Sequence, residues 1–256
     1  MTLFSPHFTI TPGMQQDLEH IEAVCQEVAH IKLHRDAQKL LQEKTKSELI
    51  HNFRHLEVLN KDSYKIELES YLNALQLVTE WSKTKKSVTQ SRIKELHSRL
   101  ITTEYPYRDG QNAVFNTTMT KVLYLPPKAE EVPQLMHDFI RYLGRNKALA
   151  SPLLAGIAHF SINAIHPYYD GNGRCARLVT RWILGHSGCD LQGLYCLERD
   201  YAKDLMRYYN ALSLHGAKTF HASRSRADIT LWLEYFLQTM RTSFTRSLRR
   251  IRIISR

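Results

Sequence analysis

The sequence predicts an all-α protein that carries one small β-hairpin. Three observations lead there. No proline occurs between residues 14 and 105 and no glycine between 14 and 109, so nothing in that long stretch interrupts a helix. Apolar residues recur through it at three- and four-residue spacing, the period of a helix with one buried face. A single β-prone stretch, Tyr105 to Leu125, stands apart from this pattern.

Taken in order, Thr11-Pro12-Gly13 opens a first helix whose stripe is Leu18, Ile21, Cys25, Val28 and Ile31. Leu40, Leu41, Leu49, Phe53 and Leu56 mark a second. Tyr64, Leu68, Tyr71, Leu72, Leu75 and Val78 mark a third, followed by a polar linker at Lys83 to Ser87. Ile93, Leu96 and Leu100 indicate a short fourth helix. The hairpin comes next: Ala-Val-Phe-Asn and Val-Leu-Tyr-Leu flank a polar middle. Val132 to Leu143 and Pro152 to Ile165 are then helices, the latter stopped near His166 by Pro167. Arg174 to Leu184 is helical and ends at Gly185. Glu198 to Leu214 forms one more helix, and Asp228 to Leu237 begins the last.

The composition is that of an ordinary globular chain, long enough at 256 residues to bury a sizeable core as one domain or a domain with a helical extension. No apolar run reaches the roughly 18 residues a membrane span needs, and the N-terminus lacks a signal pattern. Bacterial cytoplasm is therefore the default location, with secretion into a host cell left open. Cys25, Cys175, Cys189 and Cys196 form no Cys-x-x-Cys pair; free thiols are expected, and zinc through His186 is the lesser alternative. The net charge of +10 favours acidic partners. Its densest cluster is Arg241, Arg246, Arg249, Arg250, Arg252 and Arg256, interleaved with Phe244, Leu248, Ile251, Ile253 and Ile254. That tail is either a solvated helix end or a surface for nucleic acid, anionic lipid or protein.

The stretch His166 to Arg177, His-Pro-Tyr-Tyr-Asp-Gly-Asn-Gly-Arg-Cys-Ala-Arg, joins two helices through a glycine-rich turn. Glycines let consecutive amides point one way, and the positive end of the second helix lies beside them, an arrangement suited to a polyphosphate. Asn172 is the expected N-cap. Arg174 and Arg177 share one face of the first turn, where positive charge opposes the helix dipole unless an anion is nearby. Their forks match phosphate oxygens. Asp170 could hold magnesium, and His166 is the base of the segment that titrates near neutral pH. Each residue taken singly is equally well an ordinary turn or cap.

Together these residues resemble the signature of the Fic family, His-Pro-Phe-x-Asp/Glu-Gly-Asn-Gly/Lys-Arg-x-x-Arg. Every fixed position is met except that Tyr168 replaces Phe. Gly171 and Gly173 differ from the Ala and Lys of the related Doc kinases and favour the nucleotidyl-transferring branch. The resemblance extends over about residues 50 to 240 and implies a Fic-type helical bundle, with an N-terminal helical region at 1–90, a core at 91–240 and the basic end at 241–256. The hairpin at about 105–125 would be the family's flap, which holds a target's backbone through Asn112, Ala113, Val114, Phe115 and Asn116; otherwise it is a plain surface hairpin. Tyr208 and Tyr209 either pack the core or, by resemblance, lie near adenine. Many members carry an inhibitory glutamate in a Ser/Thr-x-x-x-Glu-Gly/Asn helix. Here the match is Phe53 to Val58, degraded at both flanks, so Glu57 is either an inhibitor pairing with Arg177 or an ordinary helical residue.

The function implied is protein adenylyl transfer: AMP moves from ATP to a Tyr, Thr or Ser hydroxyl and pyrophosphate leaves. His166 would be the base, Asp170 the magnesium ligand, and Gly171, Asn172, Gly173, Arg174 and Arg177 the phosphate cradle. The partner implied is a protein bearing the acceptor hydroxyl; a homo-oligomer stays open and nucleic acid is not expected. The same site with another nucleotide donor, or working to remove AMP, is the alternative, ahead of a non-enzymatic nucleic-acid-binding protein.

Overall fold

The computed structural model describes residues 4–57, 61–101, 106–115, 122–214, 219–223 and 226–255. Its helices are α1 (Pro12–His30), α2 (Arg35–Leu56), α3 (Lys61–Lys83), α4 (Gln90–Ile101), α5 (Val132–Arg145), α6 (Ser151–Ile165), α7 (Asn172–Ser187), α8 (Leu197–Lys203), α9 (Leu205–Leu212), α10 (Phe220–Ser223) and α11 (Thr230–Ile254). Strands β1 (Val114–Phe115) and β2 (Val122–Tyr124) pair antiparallel in a two-stranded sheet. The all-α expectation with one small hairpin is what the chain forms.

Helix α6 is the axis of the bundle. Nearly every side chain from Pro152 to Ile165 is buried, so it has neighbours all round. Against one side lies α7. On another, α11 comes close because Gly156 has no side chain: a Cβ there would lie 2.8 Å from Leu233 Cδ2 and 2.9 Å from Phe236 Cδ1. Trp232 uses this approach to donate from Nε1 to the Gly156 carbonyl at 2.8 Å. Helix α3 lays Tyr71, Ala74 and Val78 against α7, and Trp81 meets Trp182 with ring centroids 4.7 Å apart. Helix α2 packs on α8, and α1 on α11. Helices on both sides of residue 90 thus share one apolar core.

Three expectations are corrected and one is qualified. The helix expected from Glu198 to Leu214 breaks at Asp204, whose backbone (φ −142°, ψ 77°) leaves the helical region while its carboxylate accepts the Arg207 amide at 3.0 Å and caps α9. Cys25 and Cys189 are not free thiols: α1 brings them to a Cα separation of 5.3 Å and they form a disulfide across 164 residues of sequence. Cys175 and Cys196 are buried and free. The basic tail is a solvated helix end on one face only, with Arg241 46% and Arg252 53% exposed. It continues α11 to Ile254, buries Phe244, Leu248 and Ile251, and pairs Arg241 with Asp17, Arg246 with Asp200, Arg250 with Glu48 and Arg252 with Glu27. The correction to Asn172 belongs to the site. No helix among the described residues is long and apolar enough to cross a membrane.

Candidate active site

Helix α6 ends at His166, a left-handed residue (φ 50°, ψ 59°) that closes the helix through its amide to the Ile162 carbonyl at 2.9 Å. Pro167 forbids continuation. Two clamps hold this exit. Arg108, buried at the root of the hairpin, donates from Nε to the His166 carbonyl at 2.8 Å and from Nη1 to the Gly110 carbonyl at 3.0 Å. Its amide donates to the Pro167 carbonyl at 2.9 Å. His97 of α4 stacks on Tyr168 with centroids 3.5 Å apart and donates from Nε2 to the Asp170 carbonyl at 2.9 Å. Burial lowers the His97 pKa, with the Arg174 charge adding to it, against the opposing hydrogen bond and charge of Asp170.

Asn172 is not the N-cap. Gly171 takes that position in the left-handed region (φ 76°), where a Cβ would meet Ile101 Cδ1 at 2.9 Å. Asn172 begins α7, and its side chain reaches back instead: Nδ2 donates to the Tyr168 carbonyl at 2.8 Å and Oδ1 accepts the Tyr168 amide at 3.0 Å. The motif loop is therefore tied into a ring. The amides of the first turn of α7 have no preceding helical carbonyl to bond, which leaves an anion-seeking terminus at Asn172 to Arg174, beside the Gly171 amide held by Asp170.

Arg174 and Arg177 rise from that turn into a buried setting, their side chains 1% and 4% exposed. Arg177 pairs with Glu57, the C-cap of α2, and its guanidinium lies 5.9 Å from the Tyr71 ring centroid. Burial opposes the Arg177 charge, but Glu57 outweighs it and the pKa rises well above the ordinary value. Arg174 bridges Glu67 of α3 (Nη1, 2.5 Å) and Asp170 (Nη2, 2.7 Å), and Glu57 Oε2 stands 3.6 Å from its Nε. That last approach is an ion pair without a hydrogen bond: Arg174 Nε and Arg177 Nε are buried with no acceptor. Asp170 is 71% exposed, and its other oxygen accepts the Gly171 amide at 2.5 Å.

Beneath Arg177 a second charge pair supports the floor. Tyr71 donates to Glu198 Oε1 at 2.9 Å, and Arg181 donates to Glu198 Oε2 at 3.0 Å. Burial disfavours the Glu198 charge, but Arg181 prevails and holds its pKa at about 2. Tyr208 is buried and donates to His159 Nε2 at 2.9 Å, whose Nδ1–H donates to Thr180 Oγ1 at 3.2 Å. Tyr209 is half-exposed, and burial raises its pKa against the lowering charge of Arg177. Of the hairpin residues, Asn112 donates to the Tyr168 and Tyr169 carbonyls at 3.4 and 3.2 Å; Ala113 and Val114 are partly buried, and Phe115 is exposed. Asn116 and Val58 lie outside the described residues.

Sequence reasoning passed over Glu67 and the roles of His97 and Arg108. A signal existed for two of them. Glu67 continues the buried line of Tyr71, Ala74 and Val78, and His97 lies between Ile93 and Leu100, so each is a polar residue on an apolar stripe.

A left-handed turn at a helix N-terminus, buried arginines on its first turn and a histidine closing the preceding helix make up a helical domain with an anion-suited site. Residues 87–184 match the model of the Fic/DOC family. The protein adenylyltransferase Fic of Nematostella vectensis is 31% identical over 137 residues, 52% of this chain and 29% of that protein. This chain thus spans less than a third of that relative. A Fic family protein from Desulfovibrio desulfuricans G20 shares the fold with a TM-score of 0.75 at 20% identity, over 96% of this chain and 77% of the other. IbpAFic2, solved covalently tethered to Cdc42, aligns with a TM-score of 0.52 at 17% identity over 89% and 70%.

Proposed function

We propose that the protein is an adenylyltransferase that moves AMP from ATP to a hydroxyl of a protein. The observation that carries this reading is the pair of buried arginines on the first turn of α7, set directly after a glycine turn and a histidine. The likeness to proteins named adenylyltransferases supports it. A protein substrate is supported by the IbpAFic2 structure with Cdc42.

His166 takes the proton from the acceptor hydroxyl as its oxygen attacks the α-phosphorus, a role worth roughly 10² to 10⁴ in rate. The oxygen bridging the α- and β-phosphates leaves with pyrophosphate. Arg174, Arg177 and the Gly171 to Gly173 amides receive the charge that moves onto that leaving group. Asp170 suits magnesium because it is an exposed carboxylate beside the phosphate cradle, and Mg²⁺ usually takes one or two carboxylates with phosphate oxygens and water. When bound, the ion neutralises phosphate charge. Glu57 competes for Arg177 and so restrains the reaction. The adenine is assigned to the side of Tyr209, and the hairpin segment Asn112 to Phe115, with β1, to the target's backbone. A cytoplasm, its own or a host's, is one compartment that supplies the ATP.

The test incubates the full chain, His166→Ala and Glu57→Gly with magnesium and ATP labelled on the α-phosphate. Label should appear on protein, require His166 and increase with Glu57→Gly. His166→Ala should still bind nucleotide; equal loss of binding and transfer would contradict its role as base. Label from another donor but not from ATP would move the reading to that donor.

A further inference from the structure

Glu67 bears on the regulation of this site and rests on the phosphate reading above. Three carboxylates, Glu57, Glu67 and Asp170, face two guanidiniums, so the resting site has a net formal charge of −1 where a polyphosphate would enter. Both terminal nitrogens of Arg174 are engaged, one by Asp170 and one by Glu67. Removing Glu57 frees Arg177 and takes one ion pair from Arg174, whose hydrogen bonds to Asp170 and Glu67 remain. A single inhibitory glutamate therefore does not account for the closed state.

Glu67 is not on this face by default. A carboxylate on the line of Tyr71, Ala74 and Val78 loses much of its hydration and persists there because Arg174 meets it. The two glutamates flank one corner of the bundle: Glu57 caps the end of α2 and Glu67 lies in the second turn of α3. The orphaned Nε donors of Arg174 and Arg177 show that the pair has hydrogen-bonding capacity the carboxylates do not use.

We infer that Glu67 is a second gate, closing Arg174 as Glu57 closes Arg177, and that opening exchanges both carboxylates for two adjoining phosphoryl groups of the incoming nucleotide. The ligand class follows. A nucleotide with a polyphosphate chain can replace both glutamates, whereas a nucleoside monophosphate brings too few oxygens to span the two forks.

The experiment measures binding of ATP and of AMP, each with magnesium, by calorimetry on the full chain, Glu57→Gly, Glu67→Gln and the double variant, with transfer of α-label followed in parallel. Glu67→Gln keeps the side-chain volume and lowers the charge; Glu67→Ser provides a second form, and melting curves establish that each is folded. ATP binding should tighten about tenfold on adding Glu67→Gln to Glu57→Gly, while AMP binding stays within about threefold. Unchanged or weaker ATP binding in that background overturns the gate and leaves Glu67 as a residue that merely orients Arg174. An equal gain for AMP also overturns it, because it would report only a change of net charge. ATP tightening without label on protein keeps the gate and refutes the transfer reaction. Failure of every folded form to bind ATP refutes the phosphate site and the gate together.

Discussion

Replacing Glu198 by Ala should be among the most damaging single changes outside the motif. Glu198 and Arg181 are 2% and 8% exposed and joined at 3.0 and 3.4 Å, with Tyr71 donating to the same carboxylate at 2.9 Å. Removing the carboxylate leaves the Arg181 guanidinium with the Tyr195 carbonyl at 3.2 Å and the Tyr195 ring at 4.5 Å, and orphans the Tyr71 hydroxyl. Breaking one side of a buried pair costs about 3–5 kcal/mol. For a chain of this size each kcal/mol moves the melting temperature by roughly 2–4 °C, so the midpoint should fall by about 6–20 °C. Urea denaturation followed by circular dichroism gives the free energy directly. The paired change Arg181→Met with Glu198→Leu removes both charges and should recover most of the loss, because no uncompensated charge remains. A loss under about 1 kcal/mol in Glu198→Ala, or a double variant as weak as the two single losses added together, would refute the reasoning. Because Tyr71 lies under Arg177, the single variant should also weaken nucleotide binding.

Three further outcomes follow from the same structure. Gly171→Ala forces a Cβ into the left-handed region and to within 2.9 Å of Ile101 Cδ1, and should cost roughly 1–3 kcal/mol in chemical denaturation while raising the KM for nucleotide. His97→Leu removes the donor to the Asp170 carbonyl and should cost about 1–3 kcal/mol; His97→Gln, which keeps a donor, should restore part of both stability and kcat. His159 is buried, and burial, followed by the Arg177 charge, depresses its pKa from 6.5 to about 3. The folded state therefore binds fewer protons, and this group's contribution, present in full above pH 6.5, is lost as pH falls toward about 3. Stability measured across that window should decline less steeply in His159→Gln than in the parent, and parallel curves would contradict the assignment.

The helices and the motif were legible because each depends on neighbours in sequence. A stripe such as Ile93, Leu96 and Leu100 states its period within three turns, and a glycine turn between two apolar helices needs no distant partner. What was hidden depends on residues far apart. Asn172 has the chemistry of an N-cap, yet Gly171 alone tolerates the left-handed backbone there, so the cap moved by one position and the asparagine turned to Tyr168. The break at Asp204 was masked by continuous helical periodicity, since a carboxylate that caps from within a run looks like any exposed acidic residue. Cys25 and Cys189 carry no spacing signal across 164 residues; only the seating of α1 brings them together. Glu67 and His97 could have been read as polar intrusions on buried stripes, though not with the partners they serve.

The fate of the charge makes the same point about function. A net charge of +10 and a run of arginines at the C-terminus invite a nucleic-acid partner when read as composition. In the folded chain Arg241, Arg246, Arg250 and Arg252 each face a carboxylate from another helix, Asp17 and Glu27 of α1, Glu48 of α2 and Asp200 of α8. A phosphate backbone would have to compete with those four pairs for its own contacts, and release of counterions would bring correspondingly less. The tail's arginines instead act as fasteners between α11 and the helices around it, including α2, whose far end delivers Glu57 to Arg177. The basic terminus is thus connected to the site through the position of α2, and its contribution is to hold the helix whose C-cap, Glu57, pairs with Arg177.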